Sequence, residues 1–245
     1  DTGLLWWAPL ALLGLGGLCG LARRGDEPGL RSEARVFAAI FALFLVITAS
    51  LSFSGGWRIG PRYLVVALPA MVPGIAWLLG HVRSSMAWMT AIAALGTWSL
   101  ALNGLAANLW PHLDPTNIDY PLGEVLVPLV RGGRGPHDVL TALGGGGLPL
   151  AWLVTPATIV AGLGGLAACA RGSRARLGVG LGVALGGLAI VGSLALPPHP
   201  RAAANLRYIE RVWEPDARAS AGASASARLG PLSPADAARC RSHGR

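Results

Sequence analysis

Residues 52–72 read SFSGGWRIGPRYLVVALPAMV, and Arg58 and Arg62 stand there between two long apolar runs. A guanidinium is permanently charged, and its forked donors match the oxygens of a phosphate or a carboxylate. Gly55, Gly56 and Gly60 predict a compact turn with accessible backbone N–H groups, and Pro61 suits the first turn of a following helix. A helix N-terminus with a guanidinium beside it favours an anionic headgroup. The same arginines also fit a plainer role, snorkelling from helix ends to lipid headgroups. Local physics leaves both roles open.

Other chemistry-bearing residues are sparse. Asp114, Asp119, Glu124 and Asp138 have no partner at a fixed spacing and read as solvated loop charges; a catalytic carboxylate is the sharper alternative. His81, His112, His137, His199 and His243 are mutually distant, without HxxxH or HExxH, so no metal site is expected. Cys19, Cys169 and Cys240 form no CxxC and read as small apolar residues. The glycines of GVGLGVALGG do not follow a soluble strand, which excludes a dinucleotide fingerprint. No cofactor is expected.

The elements that must position these residues are set by composition. Hydrophobic residues make up 53% of the 245 and charged residues 13%, against about 25% charged in an average soluble domain. Mean hydropathy is +0.52. The net charge of +8 sets 20 basic residues, all arginine, against 12 acidic ones. A nucleic-acid partner is not expected, because those arginines are scattered between apolar runs instead of lining one face. Crossing a hydrocarbon core of about 30 Å takes roughly 20 apolar residues in a helix. Residues 3–22, 36–53, 63–80, 86–107, 147–170 and 177–196 meet that requirement, and none contains Asp, Glu or Arg. The fold class that follows is all-α, a polytopic transmembrane helix bundle of about six spans with a disordered C-terminal tail. Trp6, Trp7, Trp57, Trp88, Trp110 and Trp152 fall near the ends of the runs, where an amphipathic ring prefers the interface. Gly16 to Gly20, Gly178 to Gly182 and Gly182 to Gly186 are small-xxx-small spacings, expected to serve packing within the chain in preference to a dimer face.

Connections alternate sides. Residues 23–35, 81–85 and 170–176 carry Arg23, Arg24, Arg31, Arg35, Arg83, Arg171, Arg174 and Arg176, whereas loops 54–62 and 108–146, together of greater length, carry only Arg58, Arg62, Arg131 and Arg134. The positive-inside rule puts the first set in the cytoplasm. Arg201, Arg207 and Arg211, just after the last span, pull the other way. Within the outer loop, LGEVLVPLV is too short to span and fits an interfacial or partly inserted segment. In residues 197–215, Leu206, Ile209 and Trp213 lie near helical spacing, as in an amphipathic surface helix. Residues 216–245 lack apolar periodicity and are expected to be disordered.

SGGWRIGPRYLVVALPAM resembles the GG-x-x-x-GPRYL-x-x-x-LP signature in the C-terminal half of bacterial GT-C membrane glycosyltransferases, relatives of the protein O-mannosyltransferases. Two further stretches agree with that family in order. TGLLWWAPLALLGL resembles the entry to an earlier span, and DYPLGEVLVPLVRGG resembles an NPLxExxLPLL-x-xG segment of an outer loop. The ending IERVWEP is also similar. Aromatic residues expected before the Gly-Gly pair are largely absent, and Val65-Val66 stand where Leu-Pro is frequent. The resemblance implies sugar transfer from a polyprenyl-phosphate donor at the outer face of a bacterial cytoplasmic membrane. It makes Arg58 and Arg62 candidates for the donor phosphate, with Tyr63 and Trp57 walling the headgroup, and lipid-linked donor and membrane lipids the partners. The family's catalytic carboxylate lies in the first outer loop, so the chain is expected to be the C-terminal part of a longer enzyme, with no catalytic residue of its own assigned.

Two other classes compete. A transporter or flippase for a lipid-linked or small anionic substrate usually carries ionisable residues near mid-membrane, and the spans here have none. A non-catalytic membrane scaffold stays open.

Overall fold

The computed structural model describes residues 4–25, 27–50, 62–109, 118–132 and 151–209. Every regular element among them is helical. Helix α1 (Leu4–Trp7) and helix α2 (Leu10–Arg24) follow each other across Pro9, whose missing N–H interrupts the backbone ladder. Helix α3 (Pro28–Ser50) starts on a proline, well before the expected Val36, so Arg31, Glu33 and Arg35 ride on its first turns. A 3-10 segment (Arg62–Met71) runs directly into helix α4 (Val72–Val82). Helix α5 (Met86–Leu109) comes next, then a π turn (Leu122–Leu126) continuing as α6 (Val127–Arg131). Helices α7 (Ala151–Cys169), α8 (Ser173–Ala195) and α9 (Ala202–Tyr208) complete the order.

Among the described residues, helix therefore lies within each of the expected spans. Among the described residues, α3, α5 and α8 are each long and apolar enough to cross a bilayer unaided. The 3-10 segment and α4, shorter as an apolar helix, together reach a similar length by another route. Ten residues of 3-10 helix and eleven of α-helix, at about 2.0 and 1.5 Å per residue, extend over roughly 36 Å.

Small residues set the packing. A Cβ on Gly17 would lie 2.0 Å from the Gly74 carbonyl oxygen, and one on Gly74 2.2 Å from that of Gly14, so α2 and α4 touch backbone to backbone. Gly14 faces Met71 and Gly20 faces Trp77, which makes the two helices parallel. Gly178, Gly182 and Gly186 press in the same way on Met86, Thr90 and Thr97, making α5 and α8 parallel as well. The expected use of that stripe within the chain is borne out. On α2 the contact falls on Gly17, whereas Gly16 faces open space. Helix α7 runs against α5 in the opposite direction, with Gly104 on Thr155 and Gly162 on Leu100.

These directions sort the connections onto two rims. The arginine-rich turns share one of them. Arg171 N–H donates to the Arg83 carbonyl at 2.8 Å, and Gly172 takes φ 85, a left-handed conformation open to glycine, to start α8. The other rim collects α1, the C-terminal end of α5, the 118–132 segment and residues 196–209. There Trp98 Nε1 donates to the Trp6 carbonyl at 3.0 Å and Asn103 Nδ2 to that of Trp7 at 2.6 Å. The outward faces of α3 and α8 are bare aliphatic surface; Val46 and Leu188 are each 66% exposed. Water penalises so much contiguous apolar surface, and hydrocarbon does not. The chain is a multi-pass membrane protein.

Candidate functional site

Of the residues singled out in the sequence, Arg58 and Trp57 lie outside the described residues, as do Asp114, Asp138, His112, His137, His243 and the whole 216–245 tail. Arg62 and Tyr63 open the 3-10 segment; their side chains lie outside the described residues. The parallel course of this segment and α2 brings Arg62 to the rim that holds α1. Nine residues beyond it, Met71 is buried against Gly14, which fixes the depth of the segment. His81 belongs to the opposite rim, where its ring stacks on Trp77 at 4.0 Å and its Nδ1 lies 2.8 Å from the Trp77 carbonyl. Among the described residues, no group of His, Cys, Asp and Glu is arranged to hold a metal ion.

On the α1 rim a polar cluster forms that the sequence does not announce. Pro121 starts the short helix, and Leu122–Leu126 wind as a π turn. The wider turn brings Glu124, Val125 and Leu126 all to buried positions. Val125 joins Leu109, Ile118, Leu129 and Ile209 in one apolar cluster, while Leu126 joins Trp7, Leu102 and Ala106 in another. Glu124 is thereby drawn fully out of solvent. Its reading as a solvated loop charge is corrected by this burial. The chain reaches the cluster again after α8, where Pro197, Pro198 and Pro200 around His199 prevent the helix from continuing. Helix α9 then presents Asn205 and Ile209 inward. Its apolar edge, expected to lie along a surface, packs against the 118–132 segment; Trp213 lies outside the described residues.

A buried carboxylate is costly unless it is hydrogen-bonded or paired. Asn205 Nδ2 donates to Glu124 Oε2 at 2.7 Å. Glu124 Oε1, also shut off from solvent, has no hydrogen-bond partner among the described residues. His199 Nδ1 stands 3.7 Å from it, and the imidazole leans on Tyr120 with 5.7 Å between ring centres. At the margin, Arg201 donates to Asp119 Oδ2 at 2.5 Å, both side chains 58% exposed. Asp119 thus pairs with one of the arginines that follow the last helix. Arg131 turns its guanidinium to the carbonyls of Leu194 and Leu196 and satisfies acceptors left open at the end of α8. Chemically, the cluster offers a fixed carboxylate and a half-exposed imidazole, groups able to hold and pass a proton.

The signal that points to Glu124 is present in the sequence: it is the lone charge in the run LGEVLVPLV. Nothing near it names its partners, which come from the far side of α8. Comparison with protein-family models, with curated proteins and with solved structures gives no match.

Proposed function

We propose that this chain is the membrane portion of a glycosyltransferase that moves a sugar from a polyprenyl-phosphate donor to an acceptor at the outer face of the membrane. Arg58 and Arg62 face the donor's phosphate in this reading, Trp57 and Tyr63 wall its headgroup, and the catalytic carboxylate comes from the first outer loop of the parent enzyme. The observation that carries it is the meeting of three stretches that share the resemblance. The segment ending in VALPAM buries Met71 against Gly14, in the stretch TGLLWWAPLALLGL. Trp7 of that same stretch packs with Leu126 of DYPLGEVLVPLVRGG. Segments scattered along the sequence thus pack together, which supports a shared donor site at the rim that holds Arg62. The arginine-rich rim opposite is the cytoplasmic one by the positive-inside rule, which leaves the Arg62 rim outside. A bacterial cytoplasmic membrane is the location this reading implies.

The test is sugar transfer from a polyprenyl-phosphate donor by the full-length enzyme in nanodiscs, with folded yield checked for each variant. Arg62→Ala is expected to lose about ten- to a hundred-fold in donor affinity or turnover, the worth of a charge-assisted hydrogen bond of about 1.5–3 kcal/mol. Arg62→Lys keeps the charge but not the fork, and is expected to fall between. Near wild-type transfer by well-folded Arg62→Ala would reduce the motif to an interfacial anchor.

A further inference from the structure

We propose that His199 and Glu124 form a proton-operated latch that ties the 196–209 segment to the 121–131 helix at the outer rim. The inference stands whatever reaction the protein performs. Glu124 Oε1 is buried and has no hydrogen-bond partner among the described residues, while Oε2 is taken by Asn205. At 3.7 Å, His199 Nδ1 is beyond hydrogen-bond reach of Oε1. That nitrogen is engaged elsewhere: it accepts the backbone N–H of Arg201 at 3.3 Å. A ring nitrogen that accepts an N–H carries no proton, so this is the arrangement of a neutral imidazole protonated on Nε2.

Proton uptake at Nδ1 reverses the preference. The nitrogen stops being an acceptor for Arg201 N–H and becomes a charged donor facing a carboxylate oxygen that has no other donor among the described residues. A closure of about 1 Å completes a charge-assisted hydrogen bond. The released N–H belongs to an exposed residue and is taken up by water. Among the described residues, the charged and ring groups around the pair have these partners. Asp119 and Arg201 balance each other beside it, Arg131 is held by the α8 carbonyls, and Tyr120 meets the ring only by its face. Arg207, on α9, has its Nε buried and is the one further cation on that helix.

Docking that takes up a proton strengthens as pH falls. Asn205 holds the same carboxylate from α9, so the latch tightens a contact already begun.

The measurement is hydrogen–deuterium exchange of the 202–208 amides in the full chain in nanodiscs, at about pH 5.5 and 8 and corrected for intrinsic exchange. Wild type is expected to be about ten-fold more protected at the lower pH, the effect of one charge-assisted hydrogen bond. His199→Gln cannot charge and Glu124→Gln cannot pair with a charge, so each is expected to flatten the step. A step that persists in His199→Gln overturns the latch. Nitrogen-15 spectra of labelled imidazoles in the unsubstituted protein give a second reading that no folding defect can confuse. In the neutral ring, Nδ1 of His199 is expected to be bare, accepting Arg201 N–H, and Nε2 protonated; the opposite tautomer overturns the proposal.

Discussion

Asn205 does more for the rim than the charged groups around it. It supplies a hydrogen bond to a carboxylate with no access to water, and bonds to charged groups contribute about 1.5–3 kcal/mol. Asn205→Ala is therefore expected to lower stability by about that much, read as a fall in Tm in detergent. Asn205→Asp is expected to do worse, because it sets a second carboxylate against the first. The Asp119–Arg201 pair is shorter on paper but stands largely in solvent, where ion pairs are worth about 0–1 kcal/mol. Arg201→Ala is expected to leave Tm nearly unchanged. A larger effect at Arg201 than at Asn205 would refute this ranking.

At the level of elements, glycine position decides which helices meet. Gly17 and Gly182 have neighbouring backbone oxygens 2.0 and 2.3 Å from where a Cβ would stand, whereas Gly16 has nothing within 4 Å. Gly17→Leu and Gly182→Leu must push α2 off α4 and α8 off α5. Overpacking costs about 1–3 kcal/mol even when side chains can give, and backbone cannot, so losses at or above the top of that range are expected. Gly16→Leu adds a leucine to a lipid-facing position and is expected to stay within about 0.5 kcal/mol. Thermal unfolding of the three variants side by side makes the comparison. Equal damage from Gly16→Leu and Gly17→Leu would mean that the α2–α4 register differs from the one described.

For the molecule as a whole, the parallel and antiparallel pairs define two rims, and the arginine bias assigns their sides. In a cysteine-free background, an impermeant thiol reagent added from outside is expected to reach cysteines at Ser54 and Thr116 but not at Ser32 or Ser173. The reverse pattern would turn the protein over and move Arg62 to the cytoplasmic face. Residues 196–209 bear on the same question. Their docking against the 118–132 segment ties them to the Thr116 side, so a cysteine at Ala204, exposed on α9, is expected to label with Thr116. The tail arginines alone point the other way.

Sequence by itself determined the helices, their membrane setting and the alternation of connections, because length and apolar content are local properties of a run. It also marked Arg58 and Arg62 as anion-binding types beside a glycine turn, on chemistry that needs no neighbour. Tertiary structure decided the rest. The run LGLGGLCG offers glycines in more than one register, and only the partner helix selects Gly17 over Gly16. Helix α3 begins at Pro28, eight residues before its apolar run, with Glu33 and Arg35 exposed on its first turns. Glu124 reads as a loop charge until Asn205, 81 residues away, supplies its hydrogen bond. Such a pairing leaves no periodic trace in the chain, since it depends on where α8 ends and how the prolines after it turn the backbone back over the rim.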